Sequence, residues 1–215
     1  MSETDDIDQP SAAGLIANEP TVDGLRAAAA ECTACPLYAN ATQTVFGEGP
    51  DKATIMFVGE QPGDAEDLAG HPFVGPAGKM LDRCIKEAGL DRSRTYVTNA
   101  VKHFKWVPRG VRRIHSKPSS MEIAACFPWL EAEIAAVKPK IVVALGATAA
   151  QALFGKAFRV TRDRGRLVPS RFAPFAMATV HPSSLLRAPD DETRHREIAR
   201  FVEDLKKIAP LLGHK

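Results

Sequence analysis

The sequence has no uninterrupted apolar run long enough to span a bilayer, which excludes a helical membrane protein. No secretory signal is expected either, since the opening residues are acidic (Glu3, Asp5, Asp6, Asp8) and carry no basic flank. A cytoplasmic protein with reduced thiols is therefore expected. Charge of one sign is not in excess, since 28 Lys and Arg face 26 Asp and Glu for a formal net charge of +2. No global field marks a binder of polyanions. No segment repeats, which excludes solenoids and propellers. Cysteine is sparse, four in 215 residues, but two are spaced as Cys32-x-x-Cys35. In a reducing compartment that spacing points to a metal or redox site rather than a structural disulfide.

What is present fits one globular domain. The chain is 45% hydrophobic and 25% charged, ordinary values for a packed core with a solvated surface. Residues 1–20 are polar and acidic with Pro10 and Pro20, and read as a disordered leader before a single domain over 21–215. A helix is predicted from Thr21, capped by Thr21 or Asp23, to the cysteine pair. Strand-like runs follow at Thr54–Gly59, Thr95–Val101, Ile141–Gly146 and Phe175–Val180. Helical patterns at Ala77–Ala88, Ser120–Val137 and Ala147–Phe154 separate them. This alternation implies an α/β fold, with a parallel sheet covered by helices on both faces. Ligands in such folds bind beyond the carboxyl ends of the strands. Gly59-Glu60-Gln61-Pro62-Gly63-Asp64, Asn99 and His181-Pro182-Ser183 all fall there, so one site is expected on one rim.

Each motif alone has a plain reading. The first could be a β–α turn with permissive glycines. The loop Gly70-His71-Pro72-Phe73-Val74-Gly75 could hold a core aromatic or one that stacks on a planar base. Taken in order, Gly-Glu-x-Pro-Gly, Pro-Phe-Val-Gly, Asn99-x-Val101-Lys102 and His-Pro-Ser resemble the signature of the uracil-DNA glycosylase superfamily, specifically its iron–sulfur branch. The resemblance spans roughly residues 30–205. It implies a three-layer α/β/α sandwich with a mainly parallel four-stranded sheet, acting as a monomer on uracil-containing DNA.

The resemblance also assigns residues. Gly59, Gln61, Asp64 and Glu66 would surround the flipped base, with Glu66 excluding the thymine methyl. Phe73 would stack on uracil and Asn99 would read its edge, donating to O4 and accepting from N3–H. His181 would support the departing uracil anion. Ser183 and Arg187 would contact DNA, and Leu185 or Arg187 would fill the vacated stack. Cys32, Cys35 and Cys126 fall at ligand positions of a [4Fe-4S] cluster. The family's remaining cysteine is replaced by His103, leaving His103 or Cys84 as fourth ligand, with His103 favoured because imidazole can ligate cluster iron. A Cys3His zinc site is the alternative.

The stretch 102–117 is locally basic and includes Lys102, Arg112 and Arg113 as expected DNA contacts. Its Arg112-Arg113-Ile114-His115 resembles the UdgX subgroup, whose loop histidine becomes joined to DNA; Val111 stands where that subgroup has lysine. Gln61 also occupies the position of a water-activating aspartate, leaving Glu60 as the nearby carboxylate. Together these imply that His115 replaces water as nucleophile. The open alternatives are an ordinary turnover glycosylase, a non-catalytic binder of uracil or abasic DNA, and a zinc-bearing nucleic-acid module without a working pocket.

Overall fold

A computed structural model describes residues 10–213. In chain order the strands are β1 (Ile55–Gly59), β2 (Thr95–Asn99), β3 (Trp106–Arg109), β4 (Arg112–His115), β5 (Ile141–Leu145) and β6 (Phe175–Thr179). The helices are α1 (Val22–Ala30), α2 (Asp64–Ala69), α3 (Pro76–Glu87), α4 (Ser120–Val137), α5 (Ala147–Phe154), α6 (Val160–Asp163), α7 (Pro182–Leu186) and α8 (Asp191–Lys206). Four strands form a parallel sheet in the order β2-β1-β5-β6, the sandwich expected from the sequence.

Alternation along each strand feeds two cores. Ile55 and Phe57 of β1 pack on one face with Leu81 and Ile85 of α3 and Phe201 and Leu205 of α8. Met56 and Val58 face Leu130 and Ile134 of α4 and Ala149 and Leu153 of α5. Because both faces are covered, the strands read as apolar runs without polar alternation. Helix α8 shows the helical spacing Ile198, Phe201, Val202, Leu205 behind an Asp190 cap, a signal that the strand-centred reading passed over. A third cluster joins α1, Cys32, Cys35, Cys126 and Trp129 beside α4.

The register places Gly59 beside Asn99 and Leu145 beside Thr179, so the sheet's carboxyl ends share one rim. β2 stops two residues short of the predicted boundary because the Ala100 and Val101 N–H groups turn to the Gly59 and Glu60 carbonyls, at 2.9 and 3.0 Å.

Two regions depart from expectation. Within the stretch read as a disordered leader, residues 1–9 lie outside the described residues. Ala12–Leu15, however, is a 3-10 turn capped by Ser11, and its Ala12 is fully buried in the third cluster. A few apolar residues suffice to dock a short segment that overall polarity marks as leader. The basic loop is instead a β3–β4 hairpin with Arg109 opposite Arg112. Gly110 supplies the positive φ that such a two-residue turn requires, and Val111 is fully exposed at its tip. Among the described residues no helix is long and apolar enough to cross a membrane.

Candidate active site

A cavity of about 590 Å³ opens on the rim and is lined by Glu60, Gln61, Glu66, Phe73, Asn99, His115, His181, Ser183 and Arg187. Nine residues selected from sequence thus meet in one place, contributed by the loop after β1, by α2 and the α2–α3 connection, by the end of β2, by the hairpin and by α7 with its flanking residues. Gly59 lies beneath the cavity. A Cβ there would fall 2.9 Å from the Phe73 ring and would overlap Asn99 Oδ1, so only glycine lets those two groups close over it. Phe73 itself adopts φ of +58°, an uncommon conformation for a bulky residue. Its ring faces His181, with centroids 6.2 Å apart and planes 27° from parallel.

The two histidines of the cavity are each held by a neighbouring group. His181 caps α7, and its Nδ1 accepts the Ser183 N–H at 3.2 Å. An N–H can only donate, so the ring proton of neutral His181 resides on Nε2. Burial lowers its pKa to about 4, outweighing the opposite pull of Glu60. A neutral N–H donor is therefore available at physiological pH.

His115 ends β4 and places Nε2 3.0 Å from Glu60 Oε1. The other Glu60 oxygen accepts from the hydroxyl of Thr148, a residue not singled out in the sequence. Burial opposes ionisation of Glu60, but the His115 and Thr148 hydrogen bonds and the nearby histidine charges overcome it and hold its pKa below the ordinary value. The clue to Thr148 was its place just past β5, on the same rim.

Gln61 does not face the cavity as a free amide. Its Nε2 donates to the Lys105 and Ser116 carbonyls, each at 3.1 Å, and its Oε1 accepts from Lys105 N–H at 3.2 Å. It therefore clamps both ends of the hairpin that carries His115. Glu66 is likewise engaged, accepting from Gly63 N–H at 3.1 Å and Gly75 N–H at 2.8 Å, which fixes the loop bearing Phe73.

Four expectations are corrected. Lys102 is 1% exposed and paired with buried Glu133, so it contacts no phosphate. Arg113 is held by Asp64 and Asp67, both at 2.6 Å, and lies over Phe104 and Trp106; it anchors the hairpin to α2 rather than meeting DNA. Asp64 serves that anchor and does not line the cavity. Leu185 is 1% exposed in the core, because the helical turn of α7 points it inward, and Leu186 is the outward apolar residue. Arg112 and Arg187 remain exposed.

Cys32, Cys35 and Cys126 are buried together beside Trp129. Burial raises Cys126 to about 12, against the lowering influence of Lys102. Lys102 N–H donates to Cys126 Sγ and the Trp129 indole to Cys32 Sγ, both at 3.2 Å. His103 Nε2 meets Thr44 Oγ1 at 2.9 Å, while that hydroxyl donates to the Ala29 carbonyl. The ring proton is thus on Nε2 and the lone pair on Nδ1. Cys84 lies across the sheet in the α3 core, its Sγ 3.9 Å from Met80 Sδ, and cannot join this group. Among the described residues no three His, Cys, Asp or Glu side chains converge closely enough to hold a single metal ion.

Comparison with known proteins agrees with this geometry. The family described as the uracil DNA glycosylase superfamily matches residues 46–206, which include every cavity residue named above. The chain belongs to that superfamily. It is similar to the type-4 uracil-DNA glycosylase of Thermotoga maritima, 41% identical across 82% of this chain and 87% of the relative. The type-4 uracil-DNA glycosylase of Sulfurisphaera tokodaii is 38% identical across 84% of this chain and 80% of its own length. That of Archaeoglobus fulgidus is 34% identical across 86% and 89%. The hairpin, Glu60, Phe73, Asn99 and His181 all lie within the span that the superfamily match covers.

Proposed function

We propose that this chain excises uracil from DNA and is then captured on the abasic sugar through His115. The observation that carries this reading is the 3.0 Å pairing of His115 Nε2 with Glu60 in the cavity of Phe73, Asn99 and His181, while Gln61 is occupied in clamping the hairpin.

DNA is gripped by exposed Arg112 and Arg187, and uracil is flipped onto Phe73 with its edge read by Asn99. As the C1′–N1 bond breaks, its electron pair leaves with uracil, and the His181 Nε2–H donates to the anionic O2. Such a donor supplies about 2–4 kcal/mol to the transition state. Ionised Glu60 offsets the positive charge growing on the sugar. The Nε2–H bond of His115 breaks as its proton passes to Glu60, and the electron pair so freed on Nε2 bonds to C1′. The products are uracil anion, protonated Glu60 and a neutral imidazole joined to the sugar. Glu60 then returns its proton to water.

Cys32, Cys35, Cys126 and His103 would hold an iron–sulfur cluster. The fit rests on three neighbouring buried thiols, two of them receiving N–H donors that favour thiolate, and on a histidine tautomer with a free Nδ1 lone pair. When bound, the group supplies structural cross-linking of α1, α4 and the segment after β2.

A denaturing gel of protein incubated with a uracil oligonucleotide tests the reading. A band shifted by the protein's mass is expected, absent in His115→Ala, which instead releases free abasic DNA. Free abasic DNA from the wild type, with no shifted band, would establish ordinary turnover and remove His115 as nucleophile.

A further inference from the structure

The buried Lys102 has no part in the chemistry above. Its ammonium pairs with Glu133 of α4 and donates to Thr98 Oγ1 at 2.7 Å and to the carbonyl of Asn99, a cavity residue, at 2.8 Å. Glu133, fully buried, also accepts from Gly47 N–H, Tyr96 OH and Thr98 OH, each at about 3.0 Å. The Phe46 ring lies 5.3 Å from the ammonium. Stability alone does not explain such a pair, since replacing a buried ion pair with apolar groups of similar size is often neutral or stabilising.

What the pair does is specific to one peptide group. The peptide joining Asn99 to Ala100 presents its N–H and C=O on opposite sides, as a trans peptide must. The N–H is taken by the Gly59 carbonyl of β1 at 2.9 Å, and the C=O is taken by Lys102. Pinned from both sides, this peptide cannot rotate, and the direction of the Asn99 side chain is set with it. We propose that Lys102, oriented by Glu133, is a positioning residue that aims the Asn99 amide and thereby sets the choice of uracil over cytosine. This rests on the reading of Asn99 as the base-reading side chain.

The test compares Lys102→Met, the double variant Lys102→Met/Glu133→Leu, Glu133→Gln and Asn99→Ala in the full chain. Thermal stability, DNA affinity and single-turnover excision from uracil and cytosine oligonucleotides are measured. The double variant removes the charge pair together, so no lone buried charge remains. Its uracil excision is expected to slow about 10–100-fold, the scale of a misplacement near 1 Å. DNA affinity stays unchanged and the uracil-to-cytosine rate ratio narrows. A purely structural role predicts that the double variant regains both wild-type stability and wild-type rates, and that result overturns the proposal. Should the double variant not fold, Glu133→Gln keeps the shape while weakening the pair, and an unchanged rate ratio there overturns the proposal equally. Loss of base preference in Asn99→Ala with none in the Lys102 and Glu133 variants removes Lys102 alone. Unchanged preference in Asn99→Ala removes the reading of Asn99 and this proposal with it.

Discussion

Replacing Gln61 with leucine removes three hydrogen bonds that hold the ends of the His115 hairpin, to Lys105 O, Lys105 N and Ser116 O. At about 1 kcal/mol each, their net contribution is on the order of 3 kcal/mol. The hairpin has other anchors: Arg113 on Asp64 and Asp67, and the Trp106 indole on the Asn40 carbonyl at 2.8 Å. It therefore stays docked but loses its fix nearest His115. If about half of the 3 kcal/mol appears as a less populated attacking geometry, adduct formation slows roughly tenfold, since 1.4 kcal/mol is a factor of ten. Uracil excision should persist, because Phe73, Asn99 and His181 stand on other loops. The assay follows shifted and abasic products in one time course. Gln61→Leu should give slower adduct together with free abasic product that the wild type does not accumulate. An adduct rate equal to wild type would refute the clamp. Equal loss of excision and adduct would instead place Gln61 on the base.

Gly59→Ala should slow uracil excision at least tenfold and cost about 1–3 kcal/mol of stability, because its Cβ presses on Asn99 and Phe73; a wild-type rate and melting temperature would contradict the close approach. His181, with a folded pKa of about 4 against about 6.5 unfolded, leaves the unfolded chain binding more protons between those values, so stability falls as pH falls from 6.5 towards 4. His181→Asn should therefore lose less stability than wild type over that range in denaturant titrations, and parallel profiles would remove the assigned burial effect. Cys84→Ala should retain iron at a stability cost of about 1 kcal/mol, whereas Cys126→Ala should lose it; iron loss in both variants would contradict the separation of Cys84 from the other thiols.

The fold and the location of the site were legible in the chain order. Doubly covered strands must be apolar throughout, so β1, β2, β5 and β6 appear as short apolar runs, and the polar motifs after them mark the rim. Glu60, Phe73, Asn99, His115 and His181 were named by the ordered resemblance of the motifs, and the fold brings all five to one cavity. What only the tertiary structure decided is where the charges go. Lys102 and Arg113 look like phosphate contacts because a basic residue in a basic stretch suits a surface, yet their partners stand 31 and 46–49 positions away. Thr148 meets Glu60 across 88 positions, and Gln61 meets the hairpin across 44 and 55. Leu185 rather than Leu186 turned inward through the phase of one short helix. Hydrophobic periodicity is a local signal carried by neighbours in sequence. The pairing of a buried charge with its partner arises only when distant segments close together and exclude water, and no local pattern records it.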